Sequence, residues 1–317
     1  MTRSPALLIV HQGALGDLVC IFPVIVALRS HFRPVGILCQ EPLGRLAEAE
    51  GLVETWFPIE AAWTACLFAG DAAPDARRRL GPFSHILIFS SSEALASSLQ
   101  GISGARVCRF PPRPPADQRV HVTEHALQHV RGCGLLPDQD RTFPQTTLSA
   151  SLTIGKSRSQ TVLIHPGAGS PRKRWPLSGF RDVAVQLAAL RLSPEFVLGP
   201  AEQDLLPELA HRAATVHHPN DSIELLTLLR SAAAYIGNDS GVSHLAAWTG
   251  LPSVVVFGPT DPMRWRPRGG SVEIVQPPLD CWPCFETAAE NCATADCLGR
   301  ITPGDVMEAF QRVVRRC

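Results

Sequence analysis

Asp239-Ser240-Gly241 stands between a short apolar run, AAAYIGN, and a helical one, VSHLAAWTG. That is the build of an anion site, because a strand stopping there leaves the first backbone N–H groups of the next helix exposed, and helix N-termini carry a partial positive charge suited to phosphate. Gly241 leaves room for close approach, and His244, three residues on, falls on the same helical face. Asp239 repels phosphate and is better suited to holding its loop through backbone hydrogen bonds. A second apolar run, SVVVFG, ends in Gly258-Pro259-Thr260-Asp261, so two strand ends can meet at one crevice of an open α/β sheet. Lys173, in PRKRWP, is with Lys156 one of two lysines among 29 basic residues. Its ammonium suits phosphate contact, the plain alternative being a solvated loop charge. Gly167, Ala168, Gly169 and Ser170 follow His165-Pro166 and offer a further backbone contact. Glu202, in LGPAEQD beside Gln203 and Asp204, can accept two ribose hydroxyls. Asp17 reads either as a helix N-cap or as a general base at the mouth of the first loop.

Parallel sheets are what would position these residues. Ala6 to His11, Val35 to Cys39, Thr55 to Ile59, His85 to Phe89 and Arg106 to Phe110 read as strands with helical stretches between them. Leu18 to Phe32 has helical spacing, which makes Gly13 to Asp17 a strand-to-helix loop, with Pro23 tolerable only near the helix start. RFPPRPPADQR is too proline-rich for regular structure, and Val120 to Cys133 reads as a helix. A second alternation takes in Thr161 to His165, Phe196 to Leu198, Thr215 to His217, Ala234 to Gly237, Ser253 to Phe257 and Val272 to Val275. Two doubly wound domains follow, with a boundary near 145 to 160. The expected division is 1–155, 156–302 and a last helix over 303–317 able to cross back to the first domain.

The chain has 317 residues, enough for two ordinary cores, and its 29 basic and 29 acidic residues cancel, which argues against a nucleic-acid partner. No segment reads as a transmembrane span or a secretory signal, so a cytoplasmic protein is expected. Of ten cysteines, Cys281, Cys284, Cys292 and Cys297 form C-x2-C-x7-C-x4-C, a spacing able to wrap a zinc ion or an iron–sulfur cluster. The cluster reads as structural, holding metal or carrying reduced or partly paired thiols.

The run GNDSGVSHLAAWTGLPSVVVFGPTDPMRWRP resembles the signature of the family 9 glycosyltransferases, the heptosyltransferase group of lipopolysaccharide assembly. VHQGALGDLVCIFPVIVALR is similar to that family's N-terminal loop and helix, and LIHPGAGSPRKRWPLSGFRDVAVQL to its H-P-G strand end and K-x-W-P turn. The resemblance implies a GT-B architecture, two Rossmann-like domains facing a central cleft, with the first on the acceptor side. It implies inverting transfer of a heptose or related sugar from an ADP-linked donor to a core-type or lipid-linked glycan, with no cofactor required. It assigns Asp17 as general base, with Lys173, Ser240, Gly241 and His244 at the departing diphosphate. A lipid-linked acceptor implies work at the inner face of the inner membrane, with peripheral membrane contact. Another nucleotide-sugar transferase or epimerase on this architecture, or a silent nucleotide-binding redox sensor, are the alternatives.

Overall fold

A computed structural model describes residues 4–69, 74–138, 159–210, 214–278, 284–285 and 297–316. The chain divides into two compact units, Met1–Pro115 with Val122–Pro144, and Ala116–His121 with Gln145–Cys317. The expected boundary near 145 to 160 falls almost wholly outside the described residues.

In the first unit β1 (Leu7–His11), β2 (Val35–Cys39), β3 (Thr55–Pro58), β4 (His85–Phe89) and β5 (Arg106–Phe110) form one parallel sheet in the order β3-β2-β1-β4-β5. Every residue of β1 and β2 is buried. Such unbroken apolar runs belong to sheets covered on both faces. Leu8, Val10, Ile86 and Ile88 pack with Leu95 and Leu99 of the helix Glu93–Ser103, each large side chain contributing about 1.5–3 kcal/mol on burial. After β1 the helix Leu15–Leu28 begins earlier than its apolar spacing suggests and carries the fully internal Pro23. Asp17 therefore lies in the first helical turn and not in a preceding loop.

In the second unit β6 (Thr161–His165), β7 (Ser193–Val197), β8 (Val216–His217), β9 (Ala234–Asn238), β10 (Ser253–Val256) and β11 (Val272–Val275) run parallel in the order β11-β10-β9-β6-β7-β8. Chain order leaves β6 in one direction and returns on its other side to β9. Ligands of such sheets bind at that reversal, outside the carboxyl ends of the strands. The core sets Val162, Ile164, Ile236 and Val254 against Phe180, Val183 and Leu187 of the helix Leu177–Ala189. Val306, Phe310 and Val313 of the last helix, Pro303–Arg315, join the same core. Its N-cap is Thr302, whose hydroxyl accepts from Asp305 N–H at 3.2 Å.

Candidate active site

The β6–β9 reversal gathers most of the residues that the sequence singles out. Asn238, the fully buried last residue of β9, does the gathering. Its Nδ2 donates to the carbonyls of Pro166 at 2.7 Å and Gly167 at 3.3 Å, and its Oδ1 accepts from Trp175 N–H at 3.0 Å. The loop after β6 and the turn carrying Lys173 are thereby tied to the start of the Asp239–Gly241 loop. Trp175 is a packing anchor, buried with its indole N–H donated to the Ile301 carbonyl at 3.1 Å.

Lys173 Nζ lies 2.8 Å from Asp239 Oδ2 and 4.7 Å from the ring centre of Phe285. The carboxylate is buried, so it orients the ammonium that a bare loop lysine would leave mobile. Ser240 caps the helix Gly241–Trp248, its Oγ accepting from Ser243 N–H at 3.4 Å. No partner among the described residues takes the N–H of Gly241 or Val242. Ser240 is only 8% exposed, with its hydroxyl turned inward, so it is the main chain of this loop that offers donors to an anion. His244 is buried in the first turn, at the place the spacing suggested. Ala168 is buried, and Ser170 caps the short turn Pro171–Lys173.

Burial separates Glu202 from its neighbours: it is 5% exposed, whereas Gln203 and Asp204 face solvent. Its Oε2 accepts from Gly199 N–H at 2.8 Å, with His165 Nε2 at 3.8 Å and Arg174 Nη2 3.9 Å from Oε1. Burial opposes ionisation of this carboxyl, but His165, the Gly199 N–H and Arg174 outweigh it and hold its pKa below the usual value. Gly167 passes so close that a Cβ there would lie 2.3 Å from Glu202 Oε1.

The third loop, after β10, is fixed by an ion pair that no motif announces. Arg119 grips Asp261 through Nε at 2.7 Å and Nη2 at 2.9 Å, while Asp261 also caps the Pro262–Trp265 turn by accepting from Met263 N–H at 3.0 Å. Burial disfavours the charged form of Asp261, yet Arg119 and this cap bond prevail and lower its pKa. Arg264 is 3% exposed and donates to the Gln118 carbonyl. Arg174 likewise bonds Asp204 at 3.2 Å and the Ala201 carbonyl at 2.9 Å.

In the first unit the equivalent reversal lies between β1 and β4, and Asp17 sits beside it. Its Oδ2 accepts from Ala14 N–H at 3.2 Å and its Oδ1 from Arg113 Nη2 at 3.0 Å, with the side chain one-fifth exposed. The helix-capping alternative is thus realised in altered form: Asp17 reaches back from inside the helix to the first orphan N–H. The carboxylate is still partly open to solvent. His11, buried at the end of β1, is its neighbour across Gly13. Desolvation pushes the His11 pKa down to about 4 against the opposing pull of Asp17.

Cys284 and Cys297 are half-buried, and Arg172 Nη2 lies 3.5 Å from Cys284 Sγ. Cys281 and Cys292 lie outside the described residues. Among the described residues no group of three or more side chains could hold a metal ion.

Two Rossmann-type units in one chain define a GT-B fold, the architecture of many glycosyltransferases. Residues 135–293 match the family model described as "Glycosyltransferase family 9 (heptosyltransferase)", and the chain belongs to that family. Lipooligosaccharide heptosyltransferase 2 of Campylobacter jejuni is 24% identical over 316 residues, covering 94% of this chain and 96% of its own. A family 9 glycosyl transferase from Veillonella parvula superposes with a TM-score of 0.78 at 15% identity, over 100% of this chain and 99% of its own. Escherichia coli ADP-heptose lps heptosyltransferase II gives 0.72 at 16% identity, over 98% and 99%. The shared fold is GT-B.

Proposed function

We propose that this enzyme transfers a heptose, or a closely related sugar, from an ADP-activated donor to a lipopolysaccharide-core-type acceptor with inversion at the anomeric carbon. The observation that carries the reading is the Lys173 ammonium, held 2.8 Å from Asp239 next to the open N–H groups of Gly241 and Val242. An ADP leaving group needs positive potential where its new charge develops, and this cradle supplies it from the protein's own groups. Glu202 would take the ribose hydroxyls, and Gly167, Ala168 and Ser170 would line the same nucleotide. Asp17 would act as the base. The acceptor oxygen forms its bond to the anomeric carbon as the carbon–phosphate-oxygen bond breaks, the electron pair leaves with ADP, and the acceptor proton passes to the Asp17 carboxylate. Arg113 and the Ala14 N–H hold that carboxylate in one orientation.

No divalent metal enters these steps. Cys281, Cys284, Cys292 and Cys297 would hold a structural zinc or iron–sulfur centre apart from the chemistry, which metal analysis of the purified protein tests. No described helix is long and apolar enough to cross a membrane. A lipid-linked acceptor would place the enzyme at the cytoplasmic face of the inner membrane. Calorimetric titration with ADP, UDP and GDP, in magnesium and in EDTA, tests the donor assignment. Selective, metal-independent binding of ADP supports it; preference for UDP replaces the donor. Asp17→Ala should lower turnover about 10²–10⁴-fold with ADP binding nearly intact, and unchanged turnover would remove Asp17 from the mechanism.

A further inference from the structure

His165, the last residue of β6, lies between the carboxylate and the helix cap of the second unit and meets both. The ring is 4% exposed. Its Nε2 is 3.8 Å from Glu202 Oε2, longer than a hydrogen bond but close enough to orient the imidazole, and its Nδ1 is 3.4 Å from Ser240 Oγ. Beside Ser240 lies a second buried hydroxyl, that of Ser243. Ser240 Oγ is 3.4 Å from Ser243 Oγ, which donates its one proton to the Asn238 carbonyl and accepts from the Tyr235 hydroxyl at 2.9 Å.

Proton counting gives these contacts a direction. When the ring carries a single N–H, an ionised carboxylate can only accept, so that proton belongs on Nε2 toward Glu202. Nδ1 is left with a lone pair facing Ser240. The Ser240 hydroxyl meets that lone pair with its own proton, and its oxygen keeps a lone pair for Ser243 N–H, the bond that caps the helix. Turning Nδ1 into a donor would set the histidine lone pair against the Glu202 carboxylate. The charge of Glu202 and the shape of the helix N-terminus are therefore joined through one ring.

We infer that His165 is a positioning residue that couples the two ends of the nucleotide site. Contact of the ribose hydroxyls with Glu202 and contact of the diphosphate with the N-terminus of the Gly241–Trp248 helix strengthen one another through its two ring nitrogens. The inference rests on the ADP-site reading given above. A histidine that merely filled the core would leave the two contacts independent.

The readout is the ratio of the dissociation constants of 2′,3′-dideoxy-ADP and ADP, measured by calorimetry on the full chain. This ratio reports what the ribose hydroxyls contribute and is unmoved by a uniform loss of affinity. In His165→Gln the amide nitrogen can replace Nε2, and the ratio should stay within about twofold of the wild-type value. In His165→Asn only the Nδ1 position is replaced, and the ratio should fall about threefold or more toward one. Ser240→Ala leaves both His165 and Glu202 in place, keeps the proposal testable if neither His165 variant folds, and should lower the ratio by about the same factor. A cap acting locally weakens both ligands alike, so an unchanged ratio in His165→Asn or in Ser240→Ala overturns the coupling. A wild-type chain that fails to bind ADP overturns the nucleotide reading and the coupling with it, whereas wild-type binding with unchanged variant ratios overturns the coupling alone.

Discussion

Gly167→Ala adds one methyl group where the loop after β6 passes closest to Glu202. The new Cβ would stand 2.3 Å from Glu202 Oε1, 2.4 Å from Cδ and 2.5 Å from Cγ, so the whole carboxylate end must retreat by about 1 Å to reach ordinary contact. Glu202 has no free direction. It is 5% exposed, and its other oxygen holds Gly199 N–H at 2.8 Å. Moving it breaks that charge-assisted bond, worth about 1.5–3 kcal/mol, and strains a packed interior by about 1–3 kcal/mol. The second unit should lose about 3 kcal/mol, a fall of about 6–12 °C in its melting temperature. The acid limb should change as well. Because the folded Glu202 pKa lies below its unfolded value, its stabilising contribution is present above the unfolded pKa and fades as pH falls through the folded one. That part of the acid dependence should shrink in the variant. Gly169→Ala is the control, since a Cβ there meets nothing within 4 Å, and it should stay within about 0.5 kcal/mol of the parent. Paired thermal and urea unfolding at several pH values reads both. Equal melting temperatures for the two variants would show that Glu202 is not seated against Gly167.

Other consequences follow from the same contacts. His11 is 2% exposed and its folded pKa is lowered to about 4. Between the unfolded value near 6.5 and that value the unfolded chain binds the extra proton, so stability should fall by about 3 kcal/mol as pH drops through this window, and His11→Leu should flatten the slope in pH-dependent urea unfolding. Lys173→Gln removes the ammonium from Asp239 and should weaken ADP binding by about 10-fold or more in calorimetry, a loss that Lys173→Arg repairs only in part because its planar fork replaces a point charge. Trp175→Phe deletes the 3.1 Å bond to the Ile301 carbonyl and should cost about 1–3 kcal/mol in urea unfolding while leaving ADP affinity within about twofold.

The strands of both sheets were legible because most are short apolar runs bounded by turn residues, and every strand but β7 lies within a residue of where the pattern sets it; β7 begins at Ser193, three residues before its apolar stretch. The start of the first helix was not. Ala14 has no capping side chain and Gly13 and Gly16 read as loop, yet Asp17 supplies the missing acceptor from inside the helix at 3.2 Å. Pro23 lies mid-helix because its buried face packs in the core, which outweighs the lost backbone bond. Among the candidate site residues, Asp239, Ser240, Gly241 and His244 follow from helix-terminus chemistry and Lys173 from its rarity among the basic residues, and Lys173 and Asp239 meet. What local sequence could not show is burial and long-range partnership. Glu202 is separated from Gln203 and Asp204 only by which side chain turns inward. The Arg119–Asp261 pair spans 142 positions, and Asn238 looks like an ordinary strand-end amide until its three partners are in view. The one available signal was a polar residue closing an otherwise apolar strand.

The most direct test of the central claim is acceptor-dependent release of ADP from ADP-heptose, followed in EDTA with a core-oligosaccharide acceptor, for the wild type and Asp17→Ala side by side. The account predicts metal-free turnover with a sugar added to the acceptor, reduced about 10²–10⁴-fold in Asp17→Ala. Release that needs a divalent metal, sugar transfer from a UDP-linked donor in its place, or equal turnover in the variant would contradict it.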